Sequence, residues 1–265
     1  MAKSGQARVP TPGEWTRLFE AIQQHRHPEK NNAIMQVSCK LGLRAQEMAL
    51  LQIKEVARLT TSPPGFTLLK VMTLPAAYTK GANAMGRSQS RYQRTTVSFH
   101  VDEFDRIVRQ IETLARAGAP IDPTTFYPPV KRHKGKSRDL PMVDPALREA
   151  LTDYLTLRLA QDSPVKPSDS LFLSQKGTAY SPNTLQEHIA HMLRNWAGIE
   201  KASSHSGRRA LITDVIHRQK KSVKVAQKIA GHVSPATTII YEEPPEVEIS
   251  DALKNLAHQE HDKKV

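Results

Sequence analysis

A single cysteine, Cys39, stands in a chain of 265 residues. That excludes an intramolecular disulfide and suits a reducing compartment such as the cytoplasm. Its apolar helical surroundings mark it as a packed thiol rather than a nucleophile. Aromatic side chains are scarce as well, at 5% of residues. Proteins that read unstacked single strands lean on aromatic platforms, so that class is disfavoured. The chain has no signal peptide, no uninterrupted apolar stretch of membrane-spanning length and no strongly amphipathic basic helix, so no membrane partner is expected. Zinc-finger cysteine patterns, internal repeats and low-complexity tracts are missing too. His188 and His191 fall at i, i+3 of a predicted helix, but no third ligand of recognisable spacing joins them, and neither metal nor cofactor is expected. Acidic residues are the last shortage. Against 38 Lys and Arg there are 26 Asp and Glu, a formal charge of +12. Such a balance favours polyanions, by steering and by counterion release at phosphates, and duplex DNA held by its backbone fits best.

What the chain does have is concentrated between His205 and Tyr241. The stretch reads H-x-x-R from His205 to Arg208, then a helical segment, then Gly231-His232 and Tyr241 nine residues later. Arg208, Leu211, Ile212 and Val215 follow i, i+3, i+4, i+7, which turns Arg208 inward with the apolar face and leaves Arg209 outside. Val223 to Ala230 reads as a helix stopped by Gly231, a residue suited to a left-handed cap. Ser234-Pro235 has the form of an N-cap followed by proline at the first helical position. The β-branched run before Tyr241 leaves a strand open there as well. Far upstream, Gly42-Leu43-Arg44 precedes Glu47, and Arg44, Met48 and Leu51 share a face. A second arginine is thus turned inward at a helix start. Neither Arg44 nor Arg208 has an evident acidic partner, and an inward charge needs a counter-ion, so both are expected to await phosphate.

This constellation resembles the active site of the tyrosine recombinases of the lambda-integrase and Xer type. The resemblance covers nearly the whole chain, from residue 12 to about residue 256. It implies a mainly α fold with a small antiparallel β-sheet (α+β), the catalytic-domain fold of that family. It also implies the roles. Arg44, Arg208 and His232 would bind the scissile phosphate, Tyr241 would be the nucleophile, His205 would assist proton movement, and Glu47 would support the site. A β-hairpin lysine would protonate the leaving 5′-oxygen. Lys134, ahead of Gly135, is the first candidate, although the family spacing to Pro141 puts His133 in that column, and Lys131 and Lys136 stay open. The implied activity is site-specific recombination of double-stranded DNA through a 3′-phosphotyrosine, without a cofactor. Type IB topoisomerases share that chemistry, and a non-catalytic DNA-binding relative would share the scaffold.

The remaining segments are placed around this site. Residues 1–11 read as a flexible leader and residues 12–241 as the catalytic domain. On this reading, no counterpart of the family's N-terminal core-binding clamp is expected ahead of residue 12. Phe66 to Leu74 and Arg94 to Val101 read as strands, 102–117 and 145–160 as helices, and a longer connection around 75–125 as an insertion. In the tail, 242–265, Ile249, Leu253 and Leu256 form a narrow apolar stripe on a short helix. Docking of that helix on a neighbouring protomer would give a homo-oligomer assembled on DNA.

Overall fold

The computed structural model describes residues 7–78, 101–126, 137–161, 164–232 and 234–241. The chain divides into two compact units, one of residues 1–80 with 135–265 and a smaller one of residues 81–134.

The larger unit is helical. Helix α1 (Pro12–Gln24) begins with a capping box: Thr11 Oγ1 accepts from the Glu14 amide, and the Glu14 carboxylate accepts from the Thr11 amide. Two of the orphan amides of the first turn are thereby satisfied. Trp15, Leu18, Phe19 and Ile22 lie along its inner side, with Leu18 and Ile22 fully buried. Helix α2 (Pro28–Leu41) runs through the middle of the domain. It packs against α5 (Pro145–Gln161) on one side and α7 (Ser206–Thr213) on another. Gly42 ends α2 in the left-handed conformation, φ 61°, and a Cβ there would press on Leu211 at 3.0 Å. Helix α3 (Ala45–Leu50) follows at once and packs on α6 (Pro182–His191). One main core, including Ile34, Leu43, Met48, Leu51, Leu151, Phe172 and Leu193, joins these helices.

The β-structure is slight. Strand β1 (Ala57–Leu59) pairs antiparallel with β2 (Phe66–Leu68). Strand β3 (Val71–Leu74) pairs antiparallel with β4 (Arg138–Pro141), Leu74 facing Arg138. The single strand expected over Phe66 to Leu74 is therefore two strands in two separate ladders, broken at Leu69-Lys70. The strand expected from Arg94 lies outside the described residues up to His100, and Val101 itself begins helix α4 (Val101–Arg116), which belongs to the smaller unit. The hairpin segment with Lys131, His133, Lys134 and Lys136, and the tail 242–265, also lie outside the described residues.

Two helices end in wider i→i+5 turns, α6 at Met192–Trp196 and α7 at Asp214–Arg218. In the second, Val215, Ile216 and His217 are all buried. Three consecutive residues do not share a face of a regular α-helix, but a π-type turn shifts the register locally. Helices α8 (Val223–Ala230) and α9 (Pro235–Ile239) then close a second, smaller core of Ile212, Val215, Ile216, Ala226 and Ala230. Tyr241 packs against it. The alternative strand before Tyr241 is thus replaced by α9, for which Pro235 supplies the fixed φ of the first turn.

Candidate active site

Arg208 sits in the first turn of α7 with a side chain that is buried, the residue being 3% exposed. What brings it there is a close approach of α7 to α2. A Cβ on Gly207 would lie 2.5 Å from Ser38 Oγ and 3.2 Å from the Ser38 carbonyl carbon. With only hydrogen at that position, the helices meet and the Arg208 side chain reaches the end of α2. Its Nη1 donates to Gly42 O at 2.6 Å, and Nη2 donates to Ala230 O at the end of α8. Both acceptors are carbonyls that helix termini leave unpaired. The glycine of Gly-Leu-Arg is thus an acceptor for the second arginine as well as a turn.

Arg44 is the N-cap residue of α3, and its side chain is 23% exposed. Contrary to the expectation drawn from sequence, it has an acidic partner. Nη1 donates to Glu47 Oε1 at 2.9 Å, and the Arg44 amide donates to Glu47 Oε2 at 2.8 Å. The reason is local: an acid at the third position of a helix folds back onto the N-cap. Glu47 itself is buried, with 1% of its side chain exposed.

The same carboxylate holds a third guanidinium that sequence reasoning did not select. Arg138, the first residue of β4, donates from Nη2 to Glu47 Oε2 at 2.7 Å and from Nη1 to Ile229 O at 3.0 Å. Strand alternation turns Arg138 and Leu140 to the inside and Asp139 out, where it accepts from Thr73 Oγ1 at 2.7 Å. Two guanidiniums, Arg44 and Arg138, therefore pair with one carboxylate, and Arg208 is held beside them by backbone carbonyls. Burial, first of all, and then Arg44 pull the Arg208 pKa down to about 9, with Arg138 acting the same way; Glu47 and Tyr241 oppose them. At neutral pH the group keeps its charge.

His232 follows the left-handed Gly231, φ 62°, in a Schellman turn. Its amide donates to Gln227 O at 3.2 Å and the Gly231 amide to Lys228 O at 3.2 Å. The imidazole is buried, with Nδ1 2.9 Å from Thr238 Oγ1. Burial holds its pKa down to about 4, reinforced by Arg208, Arg44 and Arg138. The ring is neutral at pH 7. The Thr238 hydroxyl can donate to Nδ1 or accept from it; in the tautomer where it donates, Nε2 carries the proton and can donate to a phosphate oxygen.

The Tyr241 ring stacks on His232, with centroids 5.8 Å apart and planes at 22°. Arg209 lies over the same ring at 5.8 Å. The Tyr241 amide donates to Thr238 O at 2.9 Å, and its carbonyl pairs with His217 Nε2 at 3.2 Å. His217 is a second residue that sequence reasoning missed; it anchors the backbone of Tyr241 from the π-type turn of α7. His205 is exposed at the start of α7, where its amide donates to Ser203 Oγ at 3.2 Å. Arg44, Glu47, Arg208, His232 and Tyr241 thus form one connected group, His205 lies at its edge on the same helix as Arg208, and Lys134 falls outside the described residues.

Two further titratable groups, His188 and Cys39, are tied into the core. His188 pairs through Nε2 with Asn31 Oδ1 at 2.9 Å and stacks on Tyr180. Burial pushes the Cys39 thiol up to about 12, away from any thiolate role. Among the described residues no group of three or more His, Cys, Asp or Glu could hold a metal ion, and no helix is long and apolar enough to cross a membrane.

Known proteins with similar features fall in one family. Residues 128–246 match the family model described as Phage integrase family. The tyrosine recombinase XerC of Methylobacterium nodulans is 34% identical over 107 residues, 40% of this chain and 31% of that protein. The XerC of Caldanaerobacter subterraneus is 29% identical over 130 residues, 48% of this chain and 36% of that one. The matched part is thus about a third of each curated relative. Among solved structures, XerA recombinase matches with a TM-score of 0.58 at 21% identity, over 98% of this chain and 66% of that chain. XerH bound to a palindromic difH substrate, in a post-cleavage complex, matches with a TM-score of 0.54 at 18% identity, over 92% of this chain and 52% of that chain. These likenesses establish the mainly α fold with slight antiparallel β-structure as that of a tyrosine recombinase catalytic domain.

Proposed function

We propose that this chain is a member of the phage integrase family of tyrosine recombinases and that it cleaves and rejoins strands of duplex DNA at specific sites through a 3′-phosphotyrosine. The observation that carries the reading is the charge of the buried cluster. Arg44 and Arg138 share one carboxylate, and Arg208 is buried with only carbonyl partners, next to a stacked His232–Tyr241 pair. The excess positive charge lacks a buried counter-ion of its own, and a phosphodiester is the anion whose geometry suits planar donor forks.

In the reaction, the Tyr241 hydroxyl oxygen attacks phosphorus in line, the bond from phosphorus to the 5′-oxygen breaks, and the 5′-hydroxyl leaves with a proton. Negative charge grows on the non-bridging oxygens. Arg208 and Arg44 stand ready to share it, fixed in advance by the α2 terminus and by Glu47, and His232 adds a neutral N–H donor. His205 receives or relays the phenol proton, and a lysine of the hairpin segment, Lys134 first among the candidates, supplies the proton to the leaving oxygen. Attack by a 5′-hydroxyl from another duplex reverses the step and exchanges strands. Relatives of this fold have been solved on DNA, among them XerH on its difH substrate and lambda integrase as a dimer on a core site. By that analogy the chain assembles on DNA as an oligomer, with the tail 242–265 as the segment that links protomers.

The test is covalent capture on a nicked suicide duplex carrying the cognate site. Wild-type chain should give a protein–DNA adduct through its 3′-phosphate, and Tyr241→Phe should give none while binding the same duplex. Adduct formation by Tyr241→Phe at the wild-type rate would reject the assignment.

A further inference from the structure

Arg138 is used by none of the steps above, yet it touches both halves of the site. Its guanidinium binds Glu47, which also orients Arg44, and Ile229 O, in the last turn of the helix that delivers His232. It is packed so tightly against the turn that a Cβ on Gly231 would stand 2.6 Å from its Nη1 and 3.1 Å from its Cδ. Its Nε is buried without a hydrogen-bond partner. A buried guanidinium with an unmet donor is destabilising for folding alone, since an apolar side chain of similar volume avoids that penalty. Its chemistry therefore points to a task beyond packing.

Two effects follow from the geometry. First, a carboxylate held by Arg44 alone would form a closed pair with it and cancel its charge toward any third group. Arg138 takes Glu47 Oε2 at 2.7 Å, an oxygen it shares with the Arg44 amide, and leaves the Arg44 guanidinium to Oε1 at 2.9 Å. Second, Arg138 and Arg208 hold adjacent carbonyls, Ile229 O and Ala230 O, so the Gly231-His232 turn is fixed from two sides. We propose that Arg138 is a positioning residue of the phosphate site, which aligns Arg44 through Glu47 and His232 through the end of α8. This inference rests on the functional reading given above.

The groups that face His232 are Arg208 from α7, Arg44 from the start of α3, Arg138 from β4, Thr238 from α9 and the Tyr241 ring; Glu47 lies behind the arginines. Removing one of three cations that hold the imidazole neutral must raise its titration point. The experiment compares wild type, Arg138→Met and Arg138→Lys as full chains. Two quantities are read: the His232 titration by NMR without DNA, and the single-turnover adduct rate on the suicide duplex. Arg138→Met should titrate higher by about half a unit or more, and lose about tenfold or more in adduct rate at saturating DNA, with affinity for the duplex within about threefold. Arg138→Lys keeps the charge but cannot span Glu47 and Ile229 O, so the titration should stay near wild type while the rate recovers only in part.

A purely structural role would lower melting temperature and leave the adduct rate of the folded fraction alone, although loss of the charge would still move the His232 titration. A wild-type adduct rate in folded Arg138→Met overturns the proposal, whether or not the His232 titration moves. Should Arg138→Met fail to fold, the same two readouts on Arg138→Lys decide it, full recovery of rate being the refuting result. If the wild type itself forms no adduct, the reading of function fails, while the His232 titration still reports the charge of Arg138 at this site.

Discussion

Replacing Glu47 by Gln tests whether the site is built around an excess of positive charge. The carboxylate accepts three short hydrogen bonds, from Arg44 Nη1 at 2.9 Å, from the Arg44 amide at 2.8 Å and from Arg138 Nη2 at 2.7 Å. Gln keeps the shape but offers one acceptor oxygen, and its amide protons would face donors. Arg138 would then be a buried guanidinium with no counter-ion. Removing one member of a buried pair is destabilising by about 3–5 kcal/mol. For a chain of this size that lowers the urea midpoint by roughly 1–2 M. The variant should also respond to anions in a way the wild type does not. With three guanidiniums unopposed, sulfate binds the folded state more tightly, and at about a hundredfold over its dissociation constant returns about 2.7 kcal/mol. The assay is urea unfolding of both proteins in sodium chloride and in sodium sulfate at equal ionic strength. A midpoint for Glu47→Gln equivalent to less than about 1 kcal/mol below wild type would refute the reasoning. So would equal stabilisation of both proteins by sulfate, since exclusion of the salt from protein surface acts on both alike.

Ala at Arg208 or at Arg44 should lower the adduct rate by about a hundredfold or more at saturating DNA, measured in single turnover; a loss below about threefold would contradict the role. Acid should destabilise the fold through His232 and His188, each held near 4, by burial foremost, against an ordinary 6.5. Between those values the unfolded chain binds more protons, so the contribution is complete above about 6.5 and is lost as pH falls to about 4, about 3 kcal/mol for each ring. Unfolding followed across that range should show the loss, and His232→Asn should remove close to half of it. Gly207→Ala should force α7 away from α2 and reduce stability by about 1–3 kcal/mol, with Arg208-dependent cleavage falling further than stability alone explains. Duplex affinity should fall steeply and linearly with salt on logarithmic axes, as binding by a basic surface requires.

The helical frame and the inward turn of Arg208 were legible in sequence because they rest on periodicity and local caps: Thr11 with Glu14, Gly42, Gly231, Ser234-Pro235. The partner of Arg44 is legible in principle, three residues away at Glu47, but the resemblance gives that capping acid only a supporting role in the site. Arg138 carried no such signal. Its burial depends on β4 pairing with β3, a contact between distant segments that alternation over four residues cannot reveal. His217 was hidden for another reason: the π-type turn at the end of α7 buries three neighbours in a row, which a 3.6-residue period does not anticipate. The splitting of residues 66–74 into two ladders likewise depends on which partner each half finds.

The rung that pairs Leu74 with Arg138 has a consequence for the stretch of chain between them. Residues 75–137 begin and end at paired backbone positions, so as far as the ladder is concerned they close a loop. Closing a loop of this length rather than a four-residue turn, about four doublings, adds about 2 kcal/mol of chain entropy to be overcome on folding. A short turn grafted from Leu74 to Arg138 would recover that entropy and keep the register of the ladder. Ahead of the lysine candidates at 131–136, sequence can therefore be lengthened or shortened at an entropic cost that grows only slowly with length, while the strand end that carries Arg138 stays where the chemistry needs it.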